Sequence, residues 1–462
     1  MKKVTFRMWM IFILVGLAGQ FAWSIENMYL NSYIAYLNFD APVDLRFDYS
    51  LMISITTAAS AIVATLTTIF MGALTDKVGH KKLFISLGYI LWGIATACFG
   101  LFNVNSSSGK TLSITPYVAS IFVVVFDLIM TFFGSTSNDA SFNSYVTENT
   151  SDENRGKVES VLSILPLISM IIIFVGLNNL TTKESGYRWD LFFYIIGGIV
   201  ILVGIISLFL IPKEKRPYVL LTDRLNNEVK VTSLIKEGFK PCVIKKNKNL
   251  YLILLVYFIF SVSNQVFFPY IMIYVEKTCG ISNSSSSLLS DFAIVMASSL
   301  LGGSMLSLIF GFLADKYSKS KMIIPTLLTF VLGSIMMAFI PNINDSFKLG
   351  YCIISTLIMI IGYVSVPTIL NSLVRDYIPS GKEGSFLGIR MLFVVLLPMC
   401  IGPFIGNYLN SISKGSYIDS YNVETKLPSS TSYIVGGCII FLCIIPLVFY
   451  FKENRSKQYE KK

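Results

Sequence analysis

Gly72-Ala-Leu74-Thr-Asp76-Lys77-Val-Gly79-His80-Lys81-Lys82 is a short charged turn set between two long apolar runs. A weaker copy returns 239 residues later as Gly311-Phe-Leu313-Ala-Asp315-Lys316-Tyr-Ser-Lys319-Ser-Lys321. The glycines let two helix ends pack closely. The basic residues hold the turn on the cytoplasmic side of a bilayer, and the acid can face the positive end of a neighbouring helix. One such turn could be a generic basic stop-transfer loop; two copies point to a repeated architecture.

Working outward, apolar runs flank both copies and continue along the whole chain. Only 14% of the 462 residues are charged and the mean hydropathy is +0.67, whereas a soluble domain carries about 25% charge. At about 20 apolar residues per crossing, twelve helices are predicted near 8–37, 51–72, 83–103, 116–147, 158–180, 189–211, 249–275, 287–312, 322–341, 349–373, 386–411 and 430–451. The expected class is an all-α, multi-pass membrane protein.

The net charge of +10 is a topology signal and does not indicate nucleic acid. About 29 of the 37 Lys and Arg fall on the N-terminus, the even-numbered connections and the C-terminus, which predicts both termini in the cytoplasm. Lys2, Lys3 and Arg7 before an apolar run resemble a signal peptide. That run continues past 30 residues and carries Glu26 and Asn27, so it reads as an uncleaved first helix. Seven cysteines, odd in number and mostly intramembrane, imply no disulfide framework.

The polar stretch 213–248 divides the chain into an N-terminal bundle (1–212) and a C-terminal bundle (249–462), each with six crossings. Within the linker, Ser233 to Lys240 could form an amphipathic surface helix ended by Pro241. The halves repeat: Ser24, Asn27 and Tyr33 recur as Ser261, Asn264 and Tyr270. Asn143-Ser144 recurs as Asn371-Ser372. Repeated bundles of this kind enclose a substrate site near mid-membrane and work by alternating access.

Acids inside a membrane cost about 2.5–3.5 kcal/mol each and mark function. Three are clear: Glu26 in helix 1, and Asp127 and Asp139 in helix 4. Helical spacing predicts one stripe of Ser135, Asp139, Phe142 and Asn143, and a neighbouring one of Asp127, Thr131 and Asn138. With Trp23, Asn27 and Tyr33 on helix 1 and Asn264 and Gln265 on helix 7, these residues could line a cavity of acids, amides and aromatic faces. Amides and carboxylates bond sugar hydroxyls, and aromatic rings stack on the apolar face of a pyranose. Each also has a structural reading, as an interhelical hydrogen bond or a packing residue. Glu148, Asp152, Glu153 and Arg155 read as a solvated cluster, while Arg375, Asp376, Lys382 and Arg390 could hold a gate ion pair. Pro166, Pro398 and Pro403 mark expected kinks in helices 5 and 11. With His80 the only histidine, no Ser-His or zinc arrangement is available. No phosphate-binding Gly-Lys-Ser/Thr loop is present. Neither an enzyme, a metal nor a cofactor is expected.

The two charged turns resemble the loop signature of the major facilitator superfamily, between helices 2 and 3 and between helices 8 and 9. That resemblance implies gating positions at Gly72, Asp76, Lys77, Gly79, Lys81, Gly311, Asp315 and Lys316, with Arg155 and Arg375 at the equivalent ends of helices 4 and 10. Gly19-Gln20-Phe21-Ala-Trp23 through Tyr33 resembles helix 1 of sucrose/proton symporters. Val366-Pro367 through Asp376-Tyr-Ile-Pro379 to Gly388 resembles their helix 10–11 connection. Asp139, Phe142 and Asn143, followed by Asn154-Arg155-Gly156, are similar to helix 4 of melibiose-type carriers. The resemblance to this glycoside–pentoside–hexuronide:cation symporter group implies proton-coupled symport of a glycoside, a disaccharide such as sucrose or maltose. Asp139 would then be the proton carrier, Glu26 would bond sugar or share the proton, and Asp127 would be a further coupling candidate. Residues 51–72 lack the acids through which melibiose-type carriers bind sodium, which favours protons. Helix 5 lacks the arginine of sucrose symporters, and Glu26 stands where their pattern has Gln. The alternatives are a facilitator or sodium-coupled carrier of an amino acid, organic ion or lipid, or a solute sensor signalling through the linker. A monomer in the plasma membrane is expected, with a small solute and a proton as its partners.

Overall fold

Each apolar run of the sequence folds as a helix in the computed structural model. It describes residues 4–39, 46–78, 80–102, 115–150, 152–182, 187–212, 240–281, 290–317, 319–378, 389–413, 415–418 and 424–459. In chain order the helices are α1 (Phe6–Asn38), α2 (Tyr49–Val78), α3 (Lys81–Leu101), α4 (Pro116–Asn149), α5 (Asp152–Gly176) and α6 (Trp189–Leu210). They continue as α7 (Lys248–Thr278), α8 (Asp291–Tyr317), α9 (Lys319–Asn342), α10 (Asp345–Tyr377), α11 (Ile389–Ser411) and α12 (Ser430–Glu453). Ten contain spans long and apolar enough to cross a bilayer; α5 and α8 contribute the shorter apolar stretches Ile164–Gly176 and Asp291–Ser307. The protein is an all-α, multi-pass membrane protein.

Local chemistry sets several boundaries. Thr115 caps α4, its hydroxyl accepting from the Val118 amide, and Pro116 occupies the first turn, where no N–H is needed. Ser429 caps α12 in the same way through the Thr431 amide. Pro241 opens a short helix, Pro241–Lys246. Residues 213–239, which hold most of the expected linker and its amphipathic segment, lie outside the described residues. A hairpin absent from the sequence reading, β1 (Ser416–Ile418) antiparallel to β2 (Glu424–Lys426), lies between α11 and α12.

The chain divides into two compact units: Met1–Val231 with Asp419–Val423, and Thr232–Ile418 with Glu424–Lys462. The first holds α1–α6 and the second α7–α12. Each repeats the packing of the other. In the first, α3 packs on α6, α2 on α4, and α1 on both α5 and α6. In the second, α9 packs on α12, α8 on α10, and α7 on both α11 and α12. The repeat read from the sequence is thus also a repeat of helix neighbours.

Glycine sets the closest approach. A Cβ at Gly197 would lie 2.6 Å from the Gly93 carbonyl oxygen, and one at Gly93 would lie 2.6 Å from that of Gly197. The α3–α6 contact is therefore backbone against backbone, the close packing that small residues permit in a membrane. On the opposite side of α3, Leu83, Leu87, Leu91 and Ile94 are 42–50% exposed at helical spacing, while Tyr89 and Trp92 are fully buried. An outward face of leucine and isoleucine on a helix with a tightly packed inner face is what lipid solvates.

Candidate functional site

Glu26 and Asp139, though far apart in the sequence, occupy the same kind of backbone. α1 widens to a π-helix over Ile25–Tyr29, which carries Glu26 and Asn27. α4 does so over Ser135–Phe142, which carries Asn138 and Asp139. Single π-turns interrupt α-helices most often at functional positions. Here the widened turn also realigns side chains. Four residues of α-helix overshoot a turn by about 40°, so Asp127, Thr131, Ser135 and Asp139 would drift by about 120° across the row. The wider π-turn undershoots and swings Asp139 back toward Asp127. The two stripes expected on α4 accordingly merge. Thr131 and then Asp139 face Glu26 together with Asp127, and Ser135 faces Asp139.

The result is a cluster of three carboxylates on α1 and α4. Asp127 is fully buried; Glu26 and Asp139 are half-buried. Ser60 of α2 donates to Asp127 Oδ2, and Asn138 donates to Asp139 Oδ1 at 3.1 Å. Four other buried oxygens, Glu26 Oε2, Asp127 Oδ1, Thr131 Oγ1 and Ser135 Oγ, complete no well-formed hydrogen bond among the described residues, although Thr131 stands beside Glu26 and Ser135 beside Asp139. No Lys, Arg or His among the described residues acts on any of the three acids. Buried polar atoms are nearly always satisfied, so four open oxygens in one row mark a place for something bound.

The remaining sequence candidates have varied surroundings. Asn138 is buried, and its Oδ1 lies 2.9 Å from the Tyr89 hydroxyl of α3. Trp23 is half-buried, its ring 5.2 Å edge-on from Trp92, which leads to Tyr89 at 5.4 Å. Asn27 is half-buried and donates to its own helix at the Trp23 carbonyl. Asn143 is exposed and donates to the Asp139 carbonyl. Tyr33 is fully buried, away from the acids, among Tyr36, Trp189 and Phe193. In the second unit Asn264 is buried on α7, and Gln265 is backed by Gly402 of α11, where a Cβ would collide with it. Sequence reasoning missed Ser60 and Tyr89. Ser60 is one of many hydroxyls in its run. The π segment did leave a trace, because polar residues at consecutive positions from Ser135 to Asp139 cannot all share one face of an α-helix.

At the signature turns the structure differs from the expected loop. α2 runs on through Val78, so Asp76 and Lys77 sit in its last helical turn, and α3 begins at Lys81. Gly72 is half-buried, with open space where a Cβ would stand. Gly311, Asp315 and Lys316 belong to α8, Arg155 to α5 and Arg375 to α10. Gly79 lies outside the described residues, as do the side chains of Asp76, Lys77, Asp315, Lys316, Arg155 and Arg375. Lys81 is fully buried, pairs with Glu148 of α4 at 2.7 Å and donates to Ser144. Glu148 was expected in a solvated cluster, but at 38% exposure it instead neutralises a buried lysine. The second unit repeats the arrangement in water: Lys319 at the start of α9 pairs with Asp376 on α10 at 2.7 Å, 30% and 50% exposed. Asp376 and Glu148 differ by 228, the offset of the Asn-Ser repeat.

The Major Facilitator Superfamily model matches residues 8–403, and again 289–462. The chain belongs to that superfamily. Among its relatives, the multi-drug resistance efflux pump PmrA of Streptococcus pneumoniae is 25% identical over 197 residues, 43% of each chain. The multidrug resistance protein MdtG of a Rahnella species is 24% identical over 224 residues, 48% of each. The chain thus matches less than half the length of these curated relatives. Similar solved structures include a D-xylose–proton symporter (TM-score 0.69, 13% identity, 97% of both chains). The nucleoside transporter NupG (0.67, 13%, 96% of this chain and 100% of that one) is another. At such identities the likeness is one of fold. The protein is a multi-pass membrane protein of this superfamily. Among the described residues no three His, Cys, Asp or Glu side chains are grouped to hold a metal ion.

Proposed function

We propose that this protein couples solute movement to protons through Glu26, Asp127 and Asp139, and that its cargo is a glycoside taken up by symport. The observation that supports coupling is the cluster of three acids with no cation beside it among the described residues, together with four open oxygens: one each on Glu26 and Asp127 and the hydroxyls of Thr131 and Ser135. Carboxylates sharing a membrane pocket without a cation are neutralised by protons, so the cluster is a proton-binding element by default. Asp139 is the carrier in this reading, because it is half-buried where Asp127 is fully buried, and so can exchange its proton when the pocket opens. Ser60 fixes the Asp127 carboxylate in place. Glu26, on the other helix, links the state of the cluster to movement of α1.

The glycoside reading rests on the helix 1 and helix 4 resemblances and on the amides and rings near the acids: Asn138, Asn27, Trp23 and Trp92. A second reading, proton-coupled export of cationic amphipathic compounds, is favoured by the efflux-pump relatives, since the same acids would attract a cation. In both readings the termini are cytoplasmic and the membrane is that of the cell surface. The test uses proteoliposomes with an imposed pH gradient, comparing wild type with Asp139→Asn. The variant is expected to lose uphill accumulation while retaining solute exchange down its own gradient. Undiminished uphill accumulation in Asp139→Asn rejects the assignment.

A further inference from the structure

The second unit lacks the acids of the first. At the repeat offsets, Glu26, Asp127 and Asp139 correspond to Ser263, Ser355 and Pro367. What the second unit has instead is a cation. Arg390, at the start of α11, is half-buried, and its Nε is buried without a hydrogen-bond partner. It forms no ion pair among the described residues, so the gate pair suggested by the sequence is not found there. The Tyr257 hydroxyl of α7 is a near neighbour of both Arg390 and Asn371 of α10. Asn371 Oδ1 is likewise buried and open. Tyr363 lies beside Tyr257 and stacks on Phe268, ring centroids 5.6 Å apart at 17°.

A buried guanidinium nitrogen that meets no carboxylate among the described residues is costly, and the planar fork of arginine fits a carboxylate or phosphate. The Tyr257 hydroxyl beside it can donate to a bound oxyanion. Three helices thus converge beside an aromatic face, with the open Arg390 Nε as the donor that a bound oxyanion would meet. We infer that Arg390, Tyr257 and Asn371 form a binding subsite for an oxyanion, the carboxylate of a transported solute, within the second unit. The inference does not depend on proton coupling and can stand if that reading fails.

The test is a thermal-unfolding titration of the full chain in phosphatidylcholine nanodiscs. Acetate, glucuronate and inorganic phosphate are the probes, with glucose as the neutral control and chloride at matched ionic strength. A saturable upward shift is expected for a carboxylate and not for glucose or chloride. Arg390→Gln should weaken it by about tenfold or more, and Arg390→Lys by less, because lysine keeps the charge but loses the fork. A purely structural arginine would instead lower the unliganded midpoint and leave the carboxylate affinity unchanged, which overturns the proposal. Should Arg390→Gln fail to fold, Tyr257→Phe serves as the second variant, expected to weaken carboxylate binding with the unliganded midpoint retained. Equal shifts with chloride, or a carboxylate shift that survives Arg390→Gln, also overturn it. Preference for phosphate, or a response only to phosphatidylglycerol in the disc, assigns the subsite to phosphate and rejects the solute carboxylate.

Discussion

Removing the Glu148 charge should destabilise the protein far more than removing the Asp376 charge, although both acids pair with a lysine at 2.7 Å. The difference lies in the lysines. Lys81 is fully buried, whereas Lys319 is 30% exposed and its partner Asp376 is 50% exposed. Breaking a buried pair leaves an unpaired charge in low dielectric and costs about 3–5 kcal/mol. Glu148 is 38% exposed, so water can reach part of the pair. Ser144 also stays bonded to the ammonium. Those two facts bring the expected cost of Glu148→Gln down to about 2–3 kcal/mol. Asp376→Asn breaks an exposed pair, worth about 0–1 kcal/mol. Lys81→Met should cost less than Glu148→Gln, because it removes the buried charge and leaves a carboxylate that can turn to water. The double variant should therefore be milder than the sum of the singles. The measurement is reversible unfolding in mixed micelles at fixed pH and lipid content, with all variants run together. A cost for Glu148→Gln no larger than that of Asp376→Asn would refute the reasoning.

Other expectations follow from the same geometry. Gly197→Ala drives a methyl into the Gly93 carbonyl and should cost about 1–3 kcal/mol. Gly198→Ala, where a Cβ meets nothing within 4 Å, should be neutral or slightly stabilising, and equal effects at the two sites would contradict the packing. Ser60→Ala removes the donor to Asp127 and should slow proton-driven uptake several-fold while leaving expression unchanged; an unchanged rate of proton-driven uptake would remove Ser60 from the site. Arg7 donates to the Phe209 and Leu210 carbonyls at the end of α6, at 3.0 and 2.7 Å. Arg7→Ala should therefore cost about 1 kcal/mol in the unfolding assay through loss of that C-terminal cap.

Much of this fold was legible because a bilayer imposes a simple rule: each crossing must be a long apolar helix. Predicted spans such as 116–147 and 249–275 fall within α4 and α7, and the two Gly-Asp-Lys turns identified the superfamily. The ends were harder. α2 continues to Val78 and α5 begins at Asp152, because a helix can run on into water once started, and hydropathy does not register that extension. The acids of the site were found from their cost, but their arrangement was not. A period of 3.6 residues puts Asp127 and Asp139 on different stripes, and only the π-turn at Ser135–Phe142 brings them onto one row. The burial of Lys81 was hidden for a different reason. A lysine in a basic cluster reads as solvated, and only the packing of α3 against the end of α4 shows that Glu148 and Ser144 enclose it. Arg390 was visible as a charge, but not that it pairs with no carboxylate among the described residues.

The central claim, that the three acids move protons with the cargo, is tested most directly with a pH electrode. Proteoliposomes or cells containing the protein are held in weakly buffered medium while mono- and disaccharides are added in turn. The account predicts alkalinisation of the medium with one glycoside, abolished in Asp139→Asn. Saturable uptake of that glycoside with no movement of protons, or alkalinisation that persists in Asp139→Asn, would contradict it.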